Sequence, residues 1–202
     1  MKPPLLTHEM KAELSALYRT ADRHYHGIAH IEALLRLLDE HRAAFSDPEA
    51  VEAAIWFHDA IYDSRAKDNE AQSAVLAAEK LDGRTNAQRI GRIVAMIEAT
   101  ATHTVPALDP APARRDAALL LDMDLSILGA APPVFDAYEA AVRREYAWVD
   151  EPLWVAGRGA VLKTFVERDH IFHTEIFRDR LERQARENLK RSIEALRLGP
   201  RP

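Results

Sequence analysis

The sequence contains no cysteine. That excludes disulfides, iron–sulfur clusters and thiolate zinc sites, so any metal must be held by histidine and carboxylate. Glycine is scarce, at 7 in 202 residues, and β-branched runs are short, while Ala, Leu, Glu and Arg dominate. This balance favours helix after helix over sheet. No apolar run reaches the length needed to span a bilayer. The opening MKPPLLTHEMKAEL has one apolar pair before acidic residues appear, which argues against a secretory leader. A cytoplasmic location is therefore expected. A formal charge of −5 offers no attraction to nucleic acid or to an anionic membrane, and neither is expected as a partner. Small anionic substrates stay open, because a local cationic pocket can sit on an acidic protein. What is present is 48% hydrophobic and 29% charged residues, the make-up of a soluble globular chain. Its length suits a single domain over 1–202.

The expected architecture is all-α, a multi-helix bundle. Periodicity places a first helix at roughly 7–23. A second begins near Gly27 with Ile31, Leu34, Leu35 and Leu38 as its apolar stripe. SDPE at 46–49 opens a third, capped by Ser46 or Asp47 with Pro48 in the first turn, running to about Tyr62. A fourth covers about Asn69 to Leu81, and TNAQ at 85–88 is a capping-box pattern opening a fifth that continues to about His103. The proline-punctuated TVPALDPAPA at 104–113 reads as an internal loop. A sixth helix holds DAALLLDMDLSIL, a seventh follows Pro132–Pro133, an eighth follows Glu151–Pro152, and a doubly charged last helix covers about 174–197.

Within this frame WFHDAIYD (56–63) stands out. On a helix His58 and Asp59 lie three and four residues after Ile55, and so point inward with it. An unpartnered buried carboxylate is costly, so an ion pair, backbone hydrogen bonds or a metal ion must compensate it. Two other places put ionisable groups on inward faces. In YHGIAH (25–30), His26 and His30 are four apart, and His30 leads the apolar stripe; a capping role for His30, with His26 in solvent, is the competing reading. In LLLDMDLSILG (119–129), Asp124 has Leu120, Leu121, Ile127 and Leu128 at helical spacings, while Asp122 has the more polar Ala118, Leu119, Leu125 and Ser126. Acidic residues rarely occupy such positions without a partner. One histidine, the adjacent histidine–aspartate and a later aspartate make a mixed nitrogen–oxygen set suited to a first-row divalent ion.

This H…HD…D pattern on helices resembles the HD superfamily of metal-dependent phosphohydrolases. YHGIAH looks like the histidine pair of its cyclic-nucleotide phosphodiesterase members, and DLS (124–126) looks like the segment around their last metal-binding aspartate. WFHDAIYD, DNEAQSA (68–74), LDMDLSILG and VRREY (142–146) are similar to a bacterial branch of HD phosphohydrolases without an assigned substrate, over about 18–190. The resemblance implies an HD-domain-like bundle and one divalent metal ion (Mn, Fe, Mg, Zn or Co) held by His30, His58, Asp59 and Asp124. It implies a phosphoester of a nucleotide or other small phosphorylated metabolite as substrate. Asp59 then serves both metal and catalysis: water activated by the cation attacks phosphorus, and a protonated His26 assists departure of the alkoxide. If His26 is instead a ligand, that acid lies elsewhere.

Further candidates surround this set. His103, in register with Met96 and Thr100, either faces the site or closes its helix. Arg65 and Lys67 follow the HD pair and suit a phosphate, Glu70 suits a ligand histidine or a water, and Asp122 neighbours Asp124. Arg23 and Tyr62 are candidates of the same kind, while Trp56 and Phe57 read as core. Two rival functions use the same residues. A di-iron oxygenase needs nitrogen ligands between Asp59 and Asp124, where His103 alone stands. A regulatory or ligand-binding domain would keep the metal without turnover. Self-association is left open.

Overall fold

A computed structural model describes residues 4–198. Nine α-helices and two short 3-10 turns carry the fold, with no strand among the described residues. The chain is all-α, and no single described helix is long and apolar enough to cross a membrane. The residues group into two compact units, with the boundary between Asp124 and Leu125. The proline-rich 104–113 segment is not that boundary, since both of its flanks belong to the first unit.

The first unit holds α1 (His8–Leu17), α2 (Ile28–Glu40), α3 (Pro48–Phe57), α4 (Asn69–Leu81), α5 (Ala87–Ala99) and α6 (Ala111–Asp124). Helix α3 is its centre and packs against each of the other five. Its sequence explains why: Ala50, Val51 and Ala53 to Phe57 are all buried, so the helix is apolar nearly all round. Asp47 caps it, its carboxylate accepting the Ala50 amide, and Pro48 sits where no amide partner is needed. Trp56 and Phe57 are core, as the sequence suggests.

Several boundaries differ from the periodic reading, each for a physical reason. Helix α1 ends at Leu17, not near 23, because Tyr18 turns the chain so that its carbonyl accepts the Ile28 amide at 3.0 Å. That turn requires Gly27: a Cβ there would stand 3.2 Å from the Tyr18 carbonyl oxygen and 3.4 Å from that of Arg23. Helix α3 stops at Phe57, leaving His58 as its C-cap and Asp59 beyond it, because side chains satisfy the main-chain groups of the next few residues. Arg23 takes the carbonyls of Asp59 and Ala60, and the Ser73 hydroxyl accepts the Ile61 amide. Helix α5 is capped by Asn86 and ends at Ala99, so His103 falls outside it with a left-handed φ of 51°. Helix α6 already begins at Ala111, inside the expected loop, and ends on Asp124, after which the chain tightens into a 3-10 turn, Leu125–Gly129.

The second unit contains that turn with α7 (Pro132–Glu145), α8 (Glu151–Val166) and α9 (Glu175–Leu198). Helix α9 packs on α8 and on the turn, where buried Asn188 donates to the Leu128 and Ala130 carbonyls. The i,i+4 pairs expected along α9 form between Arg183 and Glu187 and between Glu182 and Arg186.

Candidate metal centre

His30 enters from the first turn of α2, His58 from the C-cap of α3 and Asp124 from the last residue of α6. Their donor atoms lie within 4.8 Å of one another, so this group can hold a metal ion. The Nε2 atoms of His30 and His58 are 3.2 Å apart. Asp124 Oδ1 lies 3.1 Å from His30 Nε2 and 3.8 Å from His58 Nε2. Donors about 2.1 Å from a shared ion, at angles of about 90–110°, stand roughly 3.0–3.4 Å apart. The cluster has that spacing on two of its three edges.

The orientation of His58 is fixed from behind. Its Nδ1 lies 2.9 Å from the Ile55 carbonyl, an atom that can only accept, so Nδ1 carries a proton and Nε2 faces the cluster. A ligating histidine needs this backing hydrogen bond. Asp124 is oriented in the same sense: its Oδ2 meets His103 Nε2 at 2.9 Å, while Oδ1 faces the two other histidines. Asp59 Oδ2 is 3.1 Å from His58 Nε2, which places it beside the group, although the three converging donors are those of His30, His58 and Asp124.

Burial and charge fit together. His30, His58 and Asp59 are buried, whereas the side chains of Asp124 and His103 keep 14% and 17% exposure, so the centre opens at their edge. Burial alone would depress the pKa of His58, yet the Asp59 and Asp124 carboxylates outweigh it and raise it to about 9. Burial pushes both carboxyls up, but His58 holds Asp59, and His103, His30 and His58 hold Asp124, well below the usual range. The cluster stabilises positive charge at its middle.

His26 precedes α2 and so shares no helical face with His30; their ring centroids are 6.4 Å apart. The His26 ring stacks on Tyr62 at 4.6 Å and acts electrostatically on Asp59. His103 does not continue the register of Met96 and Thr100. Its left-handed backbone, with the amide on the Ala99 carbonyl, turns the ring to Asp124 instead. Asp122 is fully buried on α6, while Arg65 and Lys67 are exposed and Glu70 is half-buried in the first turn of α4. The converging donor group includes none of these four. DNEAQSA has a structural use: Asn69 clasps Asp63 in both directions, and Ser73 clasps Ile61, which holds the chain just after the HD pair.

Periodicity did not point to three supporting residues. Tyr18 is buried, and its hydroxyl donates to the Trp56 carbonyl at 3.0 Å. Ile55 offers the carbonyl that orients His58, and Arg23 holds the turn. Nothing in a local pattern marks a main-chain acceptor, and only the arginine was noticeable as a charge near a histidine pair. Searches for similarity returned no matching family model, no matching characterised protein and no matching solved structure.

Proposed function

We propose that the chain is a metal-dependent phosphohydrolase acting on a nucleotide or another small phosphorylated metabolite. The observation that supports this most directly is the convergence of His30, His58 and Asp124 from three separate helices, with His58 backed by the Ile55 carbonyl. With Asp59 these residues would hold one divalent cation. Two imidazoles in the set favour zinc, iron, cobalt or manganese over magnesium, which prefers oxygen and retained water. Among the described residues no second group of three such donors gathers, which favours one cation over the two of an oxygenase. When bound, such an ion polarises a phosphoryl oxygen and makes water nucleophilic near neutral pH.

The chain's own residues supply the rest. The His58 Nδ1–H bond to Ile55 keeps the Nε2 lone pair turned inward. His103 holds Oδ2 of Asp124 and so frees Oδ1 for the centre. His26, stacked on Tyr62 at the edge of the cluster, is the acid that protonates the departing alkoxide. Arg65 and Lys67, exposed beyond the HD turn, are the cations available to a substrate phosphate.

The test is calorimetric titration of metal-stripped protein with manganese, cobalt and zinc, followed by a panel of nucleotide mono-, di- and cyclic phosphates. One ion per chain and metal-dependent release of phosphate or phosphomonoester are expected. No uptake of any of the three ions would end the proposal.

A further inference from the structure

We infer that Arg23 is the positioning residue of this centre, tying the loop that carries His26 to the turn that carries His58 and Asp59. The inference rests on the metal-centre reading of the proposed function. One guanidinium reaches main-chain oxygens in both segments. Its Nη1 donates to the His26 carbonyl at 3.1 Å and to the Asp59 carbonyl at 2.6 Å, and its Nη2 donates to the Ala60 carbonyl at 2.9 Å. Two of those acceptors lie just past the end of α3, where a helix leaves carbonyls without amide partners.

The same guanidinium lies between two rings. Its carbon is 5.0 Å from the Tyr18 ring centre and 5.4 Å from that of Tyr62. Each ring continues the connection. Tyr62 stacks on His26, and Tyr18 donates to the Trp56 carbonyl two residues before His58. Arg23 therefore touches both sides of the cluster by hydrogen bonds and again through aromatic faces. Gly27 lets the loop close onto Tyr18 and Arg23, which fixes where the guanidinium starts from. Three of the five N–H groups of Arg23 are directed at carbonyls, so its contacts serve the main chain. Lysine is no equivalent, because a single ammonium cannot span three acceptors and fill the space between two rings.

The test compares wild type, Arg23→Ala, Arg23→Lys and Arg89→Ala. Arg89 binds Asp47 at the opposite end of α3 and serves as the control for general loss of stability. Cobalt(II) is added as the probe, and its visible absorption and affinity are measured beside the melting temperature. Amide exchange is followed in the metal-free proteins over 24–30 and 58–63. Arg23→Ala is expected to weaken cobalt binding by about 10–100-fold, the usual effect of a group that orients ligands, and to shift the absorption band. Both segments should lose protection together. Arg23→Lys, which keeps the charge and protects against a failure to fold, should recover melting temperature more than it recovers the band. Arg89→Ala should lower melting temperature with the band unchanged. A wild-type band and affinity in Arg23→Ala would overturn the inference, as would loosening of one segment alone. If the wild type itself takes up none of cobalt, manganese and zinc, the metal reading fails and exchange decides for Arg23: joint loosening sustains the tie, and independent behaviour ends it.

Discussion

Two polar clusters with little exposure, one in each unit, show what separates a candidate metal site from an ion pair. In the second unit Arg158 meets Glu139, donates to the Tyr138 hydroxyl at 2.8 Å and stacks on the Tyr138 ring. Ser192 donates to the same Glu139 at 2.9 Å. Arg158 donates to Glu139 from Nε as well as from Nη2, and one positive charge faces one negative. In the first unit two imidazole Nε2 atoms face each other at 3.2 Å with a carboxylate oxygen beside them. With its Nδ1 proton on the Ile55 carbonyl, a neutral His58 would turn an Nε2 lone pair toward the oxygens of Asp59 and Asp124, so the cluster calls for a positive charge at its middle, a proton or a metal ion. Burial is similar in both, with side-chain exposures of 10% and 17% for Arg158 and Glu139 against 3% and 14% for His58 and Asp124. The imbalance of acceptors over donors, not burial, marks the first as a place for a cation.

The largest expected effect tests that imbalance. Asp124→Ala and Asp59→Ala are each expected to abolish cation uptake and to reduce metal-dependent phosphoester hydrolysis to the rate of a protein-free control. Normal turnover in Asp59→Ala would end the hydrolase reading, and calorimetry with a colorimetric phosphate assay checks both. The matching change in the second unit should behave in the opposite way. Arg158→Ala leaves a half-buried glutamate without its partner and is expected to lower stability by about 2 kcal/mol in urea denaturation, with the metal stoichiometry unchanged. Replacing both partners, as in Arg158→Met with Glu139→Met, should recover most of that loss, because a buried pair can be exchanged for apolar contacts. No double substitution within the first cluster should restore metal.

His26→Ala sharpens the contrast within the centre. The cation should stay, because the His26 ring is stacked on Tyr62 and its centre lies 6.4 Å from that of His30, while the rate falls. The expected drop is about 100-fold for alkyl phosphoesters and smaller for nitrophenyl esters, whose leaving group needs no proton. Loss of metal in this variant would reassign His26 as a ligand.

How much of this could be read from the residues depends on whether the cue is local. Asp124 was legible because four leucines and isoleucines surround it at helical spacing, a setting that no solvated aspartate occupies. The start of α2 at Gly27 and the extent of α4, Asn69–Leu81, came from stripe and cap. The ends of α1 and α3 did not, since each is set by a contact outside the helical repeat: the Ile28 amide on Tyr18 for α1, and Arg23 for the turn after α3. The Arg23 bonds to Asp59 and Ala60 span 36 and 37 residues, and no periodicity records them. Extending the apolar pattern through His58 to Tyr62 gave the right inward direction but the wrong backbone, because a capping turn buries Asp59 and Ala60 as well as a helix would. The sequence offers His103 as a residue facing the site, and it does face Asp124 there, but through a left-handed φ beyond α5 that no helical register records.

The smallest effect comes from a third kind of charged contact, one open to water. Arg89 Nε donates to Asp47 Oδ2 at 2.7 Å at the start of α3, with 14% and 27% of the two side chains exposed. Burial pushes the Asp47 carboxyl up, but hydrogen bonds from Arg89 and the Ala50 amide outweigh it and hold its pKa below the ordinary 3.8. A carboxylate whose pKa is lower when folded contributes stability in full above its unfolded value, and loses it as pH falls through the folded one. Asp47→Asn keeps an acceptor for the helix cap and removes the charge. It is therefore expected to cost less than about 1 kcal/mol at pH 7 and to flatten the loss of stability on acidification below about pH 4. Urea midpoints at pH 7 and pH 3, each at low and high salt, measure this directly. Salt should shrink the Asp47 effect, since water and counterions reach that pair. The loss of stability in Arg158→Ala should shrink less with salt, because Arg158 and Glu139 are the less exposed of the two pairs. Equal salt sensitivity at the two sites would mean that they differ in degree alone, and the distinction drawn from donor balance would then have to rest on metal uptake.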